Sequence, residues 1–105
     1  MEVPIDAPWN APHAAEWDSI TVKEYLDANC WTTYSRNILE IDCRSLLCAE
    51  PHQVSLLAFL WYVASGDSLK RLTSITDGAQ ERKFVGGAMQ LSERMADDLA
   101  SKVGL

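Results

Sequence analysis

The chain has 105 residues, 48% of them apolar, and a formal net charge of −6. That length admits one domain at most, and the composition is that of a folded protein rather than a disordered one. Nucleic-acid binding is excluded, because phosphate contacts need clustered Lys and Arg and the nine basic residues are scattered.

Residues 1–19 hold Pro4, Pro8 and Pro12 together with Trp9 and Trp17. Proline removes backbone donors and disfavours helix at the residue before it, so this stretch is expected to be an extended arm anchored by its two indoles. Residues 20–64 read as helices. Thr21-Val22-Lys23-Glu24 fits a capping box, in which the Thr hydroxyl accepts a first-turn amide and Glu24 reaches back, and a short helix should follow to Asn29. Thr32 or Thr33 offers the next cap. Ile38, Ile41, Leu46 and Leu47 then recur at roughly helical spacing as far as Ala49. Glu50-Pro51 should end that helix and Pro51 should open another over residues 51–64. This next helix is apolar on nearly every face, the mark of an element at the centre of a larger body. So short a chain covers one side of it at best, and its surface is expected to want a partner.

Residues 65–87 read as an extended segment and loop. Ser65-Gly66-Asp67-Ser68 is a turn, residues 69–76 suit a short strand, and Asp77-Gly78 is a turn signal. Residues 88–104 form the last helix, with Leu91, Met95 and Leu99 on one face and Glu93, Arg94, Asp97 and Asp98 toward water. The fold class is therefore mainly α with a short extended or β segment near residues 69–83.

Cys30, Cys43 and Cys48 are odd in number and lack metal-ligand spacing, so buried thiols in a reducing compartment are expected rather than zinc or disulfides. Met1-Glu2-Val3-Pro4 is not a secretory signal. The apolar run over residues 54–63 is about half of the ~20 residues that span a bilayer. His13 and His52 have no partner at catalytic spacing, and Ser55, Ser92 and the cysteines have no general base nearby in sequence. Catalytic residues: none are assigned.

Gln80-Glu81-Arg82-Lys83-Phe84-Val85-Gly86-Gly87, preceded by Asp77-Gly78-Ala79, together with Ala58-Phe59-Leu60-Trp61-Tyr62-Val63 and Asp6-Ala7-Pro8-Trp9, resembles the substrate domain of flavin-dependent monoamine oxidases. The resemblance runs nearly the full length and implies a fragment of that α+β domain. In such enzymes a primary amine is oxidised to an aldehyde with release of hydrogen peroxide, and FAD carries the redox chemistry. No G-x-G-x-x-G turn is present, so the FAD-binding domain is absent and the chain alone is expected neither to bind FAD nor to be active. Mitochondrial outer-membrane location on the cytosolic face, an FAD-domain partner and a homodimer of the full-length enzyme are further implications of the resemblance.

The resemblance also implies one wall of a substrate cavity. Gln80 matches the glutamine that points toward the amine, and its amide both donates and accepts. Leu72 and Thr73 match a pair of branched residues that separates an entrance cavity from the substrate cavity, with Thr73 making a smaller and more polar gate than isoleucine or leucine. Ile41, Asp42, Ser45 and Leu46 match a cavity-lining helix where bulky apolar side chains and a cysteine are usual; Asp42 and Ser45 depart from that pattern. A carboxylate facing an apolar cavity is costly unless paired. An ammonium substrate is one pair for Asp42; water, Arg44 or a later basic residue is the other, and the commoner for a helix carboxylate. Against the oxidase reading stands a free-standing helical module that binds another protein through exposed apolar surface.

Overall fold

The computed structural model describes residues 2–103, so the first residue of the expected arm and the last residue of the expected final helix, Gly104, lie outside the described residues. Within them the chain is mainly helical: α1 (Ala14–Ser19), α2 (Val22–Asn29), α3 (Thr33–Leu47), α4 (Leu56–Ser65), α5 (Leu69–Thr73) and α6 (Met89–Val103). Strand pairing among the described residues is a single antiparallel bridge between Thr21 and Ser55.

The capping box forms as the sequence predicts. Glu24 N donates to Thr21 Oγ1 at 3.2 Å and Thr21 N donates to Glu24 Oε2 at 2.7 Å. The Thr21 amide bond, which contributes most, and a second bond from the Thr21 hydroxyl to the same oxygen at 2.8 Å hold the Glu24 carboxyl below the ordinary glutamate range. Beside this cap the bridge fixes the starts of α2 and α4 side by side. Val22 N donates to Val54 O at 3.0 Å, and Leu56 N to Ile20 O at 2.9 Å.

One cluster of Val22, Leu26, Cys43, Phe59 and Val63 forms the core, with Cys30, Leu39, Leu47, Val54, Leu69 and Leu72 packed around it. Burying each of the large apolar members is worth about 1.5–3 kcal/mol. Burial raises the Cys43 thiol above its ordinary pKa, since the thiolate loses its water. On α4 the buried face is Leu56, Phe59 and Val63, while Trp61 is 38% exposed, so the helix is covered on one side as its all-round apolar sequence and small host predict.

Three expectations are corrected. The arm is not wholly extended: Pro8–Asn10 is a 3-10 helix and α1 follows, packed on α4. Its prolines fall at or before the 3-10 helix and ahead of α1, where a missing amide costs little. The arm is tied down by Val3 and Ala11, both buried, and by Trp61 Nε1 donating to Ile5 O at 2.9 Å. Second, α4 starts at Leu56 rather than Pro51. Gln53 N closes a turn onto Glu50 O, Pro51 O accepts from Lys23 N, and Ser55 caps the helix by accepting from Ala58 N. Third, residues 69–73 are helical, because Ser68 accepts from Arg71 N and Thr73 Oγ1 donates back to Leu69 O. The extended stretch lies after it, from Ser74 onward.

The apolar residues of α3 divide between two faces. Leu39, Cys43 and Leu47 form its inner face, while Ile38 and Ile41 are 41% and 58% exposed. Large apolar groups stay wet elsewhere too: Trp31, just before α3, is 98% exposed, and on α6 Met89, Leu91, Met95 and Leu99 all face outward. The radius of gyration is 18.1 Å, against about 13 Å for a compact domain of this length. No helix among the described residues is long and apolar enough to cross a membrane.

Candidate functional site

The seven residues singled out from sequence fall into two groups, on α3 and on α5 with the turn after it. The two helices pack on each other, Leu72 entering the cluster that Leu39 and Leu47 line.

On α3, Ile41 is exposed, Asp42 and Leu46 are half-buried, and Ser45 is exposed. The Ser45 hydroxyl donates to Ile41 O at 2.7 Å. A hydroxyl bent back onto its own helix leaves little polarity to offer a ligand. Asp42 differs. Its helical neighbours three and four positions away are Ile38, Leu39, Ser45 and Leu46, none of them a cation. Arg44 does not pair with it: the guanidinium is engaged by Glu50 at 2.9 Å and Glu40 at 3.2 Å, and its pKa is held above the ordinary value, chiefly by the Glu50 hydrogen bond. Among the described residues the Asp42 carboxylate makes no ion pair.

On α5, Thr73 is exposed and its hydroxyl donates to Leu69 O at 3.0 Å, so it too satisfies itself. The turn that follows is fixed by Ala79 N donating to Arg71 O at 2.9 Å and Gln80 N to Ser74 O at 3.2 Å. Asp77 takes a left-handed conformation there, with φ 52°. Gln80 then lies over the end of α5, its side-chain Nε2 donating to Leu72 O at 3.2 Å. Its Oε1 accepts no hydrogen bond among the described residues.

The structure thus brings Gln80, Leu72 and Thr73 together and places Ile41, Asp42, Ser45 and Leu46 on the neighbouring helix, and among the described residues the cavities at α5 do not enclose all seven. A depression of about 570 Å³ lies between the end of α4 and the turn after α5; of the seven, only Leu72 lines it. An apolar cleft of about 270 Å³ runs between Pro8, Asp18, Leu57 and Trp61. Sequence reasoning missed Tyr34 and Ile38 as exposed neighbours of Ile41. Their spacing of four and then three residues, which puts them on one helix face with Ile41, is the signal that finds them.

The described residues do not fit a dinucleotide cofactor. Such a site needs a parallel βαβ unit, and here the only pairing is one antiparallel bridge.

No family model matches the chain. Relatives are found along its whole length. It is 50% identical over 104 residues to the flavin-containing amine oxidase A of Equus caballus, 49% identical over 104 residues to the B enzyme of Homo sapiens, and 48% identical over 105 residues to an enzyme of Danio rerio. These alignments cover 99–100% of this chain and 20% of each relative, so the chain spans about a fifth of their length.

Proposed function

We propose that this chain, homologous over its whole length to one fifth of the flavin-containing amine oxidases, supplies part of the substrate wall of such an oxidase. The observation that carries the reading is identity near one half along the entire chain, far beyond what a shared helical fold requires. The complete enzyme oxidatively deaminates primary amines to aldehydes with release of hydrogen peroxide. Its FAD is held by the other four fifths.

Within that enzyme Gln80 orients the amine. Its Nε2 is committed to Leu72 O, which fixes the amide plane and leaves Oε1 to accept a hydrogen bond from an ammonium or amine. Leu72 and Thr73 form the gate, and Ile41, Asp42, Ser45 and Leu46 line the approach. The methyl of Thr73 and the apolar edge of Ser45 face the substrate, because both hydroxyls are satisfied by their own helices. The exposed apolar side chains on α3 and α6 pack on the remaining polypeptide. By the same resemblance the complete enzyme sits on the cytosolic face of the mitochondrial outer membrane.

A chimera tests this. The segment replaces the homologous fifth of the human B enzyme, and flavin absorbance and amine-dependent hydrogen peroxide are measured. Flavin loading with peroxide release supports the reading, and loading without turnover of any amine overturns it. A chimera that folds without flavin favours the interaction-module alternative.

A further inference from the structure

We propose that Asp42 binds a second ammonium group, so that the preferred substrates are amines carrying another cationic nitrogen at the end of an apolar spacer. The inference rests on the oxidase reading above and names the substrate class of that site.

Three polar residues stand where an apolar wall is expected: Asp42, Ser45 and Thr73. Two of them are internally satisfied. Ser45 donates to Ile41 O and Thr73 to Leu69 O, each closing on a carbonyl four residues back. Asp42 alone keeps an unanswered charge. Arg44, beside it in sequence, is engaged by Glu40 and Glu50, and among the described residues the other ion pairs, Arg36 and Lys23 with Asp27 and Arg71 with Asp67, do not include Asp42. A partly covered carboxylate that makes no ion pair keeps its charge available to a cation that also brings apolar surface to the helix.

The surroundings select the kind of cation. Ile38 and Ile41 lie exposed to one side of Asp42 on the helix, with Leu39, packed on the core, and the half-buried Leu46 to the other. A divalent metal needs several oxygen ligands, and here there is one carboxylate among hydrocarbon. An organic ammonium needs a single carboxylate for its charge and apolar surface for its carbon chain, which is what this strip of α3 offers. With Gln80 holding the reacting amine, Asp42 on the adjoining helix takes the far end.

The test uses the flavin-loaded chimera described above, with α,ω-diaminoalkanes of increasing length compared with n-alkylamines of equal length. At the best-fitting length the ratio of diamine to alkylamine kcat/KM should fall about tenfold in Asp42→Asn, the size expected for losing a charge-assisted hydrogen bond. Asp42→Glu should recover part of it. An unchanged ratio in Asp42→Asn overturns the inference, as does an equal loss on both substrate series or a loss of bound flavin, either of which marks Asp42 as structural. A parent chimera that loads flavin yet turns over no amine sinks the oxidase reading instead; an active parent with an unmoved ratio sinks only the role of Asp42.

Discussion

The side-chain amide of Gln80 donates to the carbonyl of Leu72 across 3.2 Å, joining the turn at residues 77–81 to the end of α5. One hydrogen bond of this kind contributes about 1 kcal/mol net. In Gln80→Ala the amides of residues 74–81 should exchange with solvent several-fold faster, while exchange in α2 is unchanged. Hydrogen-exchange mass spectrometry reads both segments at once. Equal rates in the variant would mean that the backbone bonds of Ala79 and Gln80 hold the turn unaided.

The capping box gives a pH-dependent stability. Glu24 is held below its ordinary value near 4.5, so its contribution is complete above that value and is lost as pH falls through the lower folded pKa. Thr21→Ala removes the cap and should destabilise α2 by about 0.5–2 kcal/mol near neutral pH. The difference from the parent should narrow as the solution is acidified below the ordinary value. Exchange rates of residues 22–29 across a pH series, corrected for intrinsic exchange, check both the size and the sign.

Gly78 is required for space rather than for an unusual φ. A Cβ there would press on the Ser74 carbonyl and come within 2.8 Å of Arg71 O, both of which accept the bonds that shape the turn. Gly78→Ala should therefore cost about 1–3 kcal/mol, as overpacking against rigid atoms does. The same peptide should lose exchange protection more severely than in Gln80→Ala.

The three thiols should separate by reactivity. Cys48 is exposed at the end of α3, Cys30 is partly covered, and Cys43 has no exposure and a pKa raised by burial. Iodoacetamide under native conditions should label Cys48 first and Cys43 last, with the order read by peptide mapping.

Local signals in the sequence were read well where one short motif dictates the geometry. Thr21 and Glu24 announce their cap because both partners lie within one turn, and Asp77-Gly78 announces its turn for the same reason. Pro51 misled because its carbonyl is drawn to Lys23 N, a partner distant in sequence, and the helix waits for Ser55. Thr73 pointed to a strand by its β-branch, yet Ser68 supplies a cap that decides for helix. The helical spacing of Ile38 and Ile41 marks a helix without marking its inner face, because apolar spacing does not say which of two adjacent stripes faces inward. The candidate site was legible only as a set of positions. Among the described residues neither spacing nor burial encloses the seven together.

Trp31 stands in water at 98% exposure, next to the strip formed by Tyr34, Ile38 and Ile41. An indole so placed emits toward the red and is open to collisional quenchers, whereas one covered by protein emits toward the blue and is shielded. The chain thus carries a built-in fluorescent reporter at one end of its most exposed apolar strip, and whatever settles over α3 will announce itself by a change of colour.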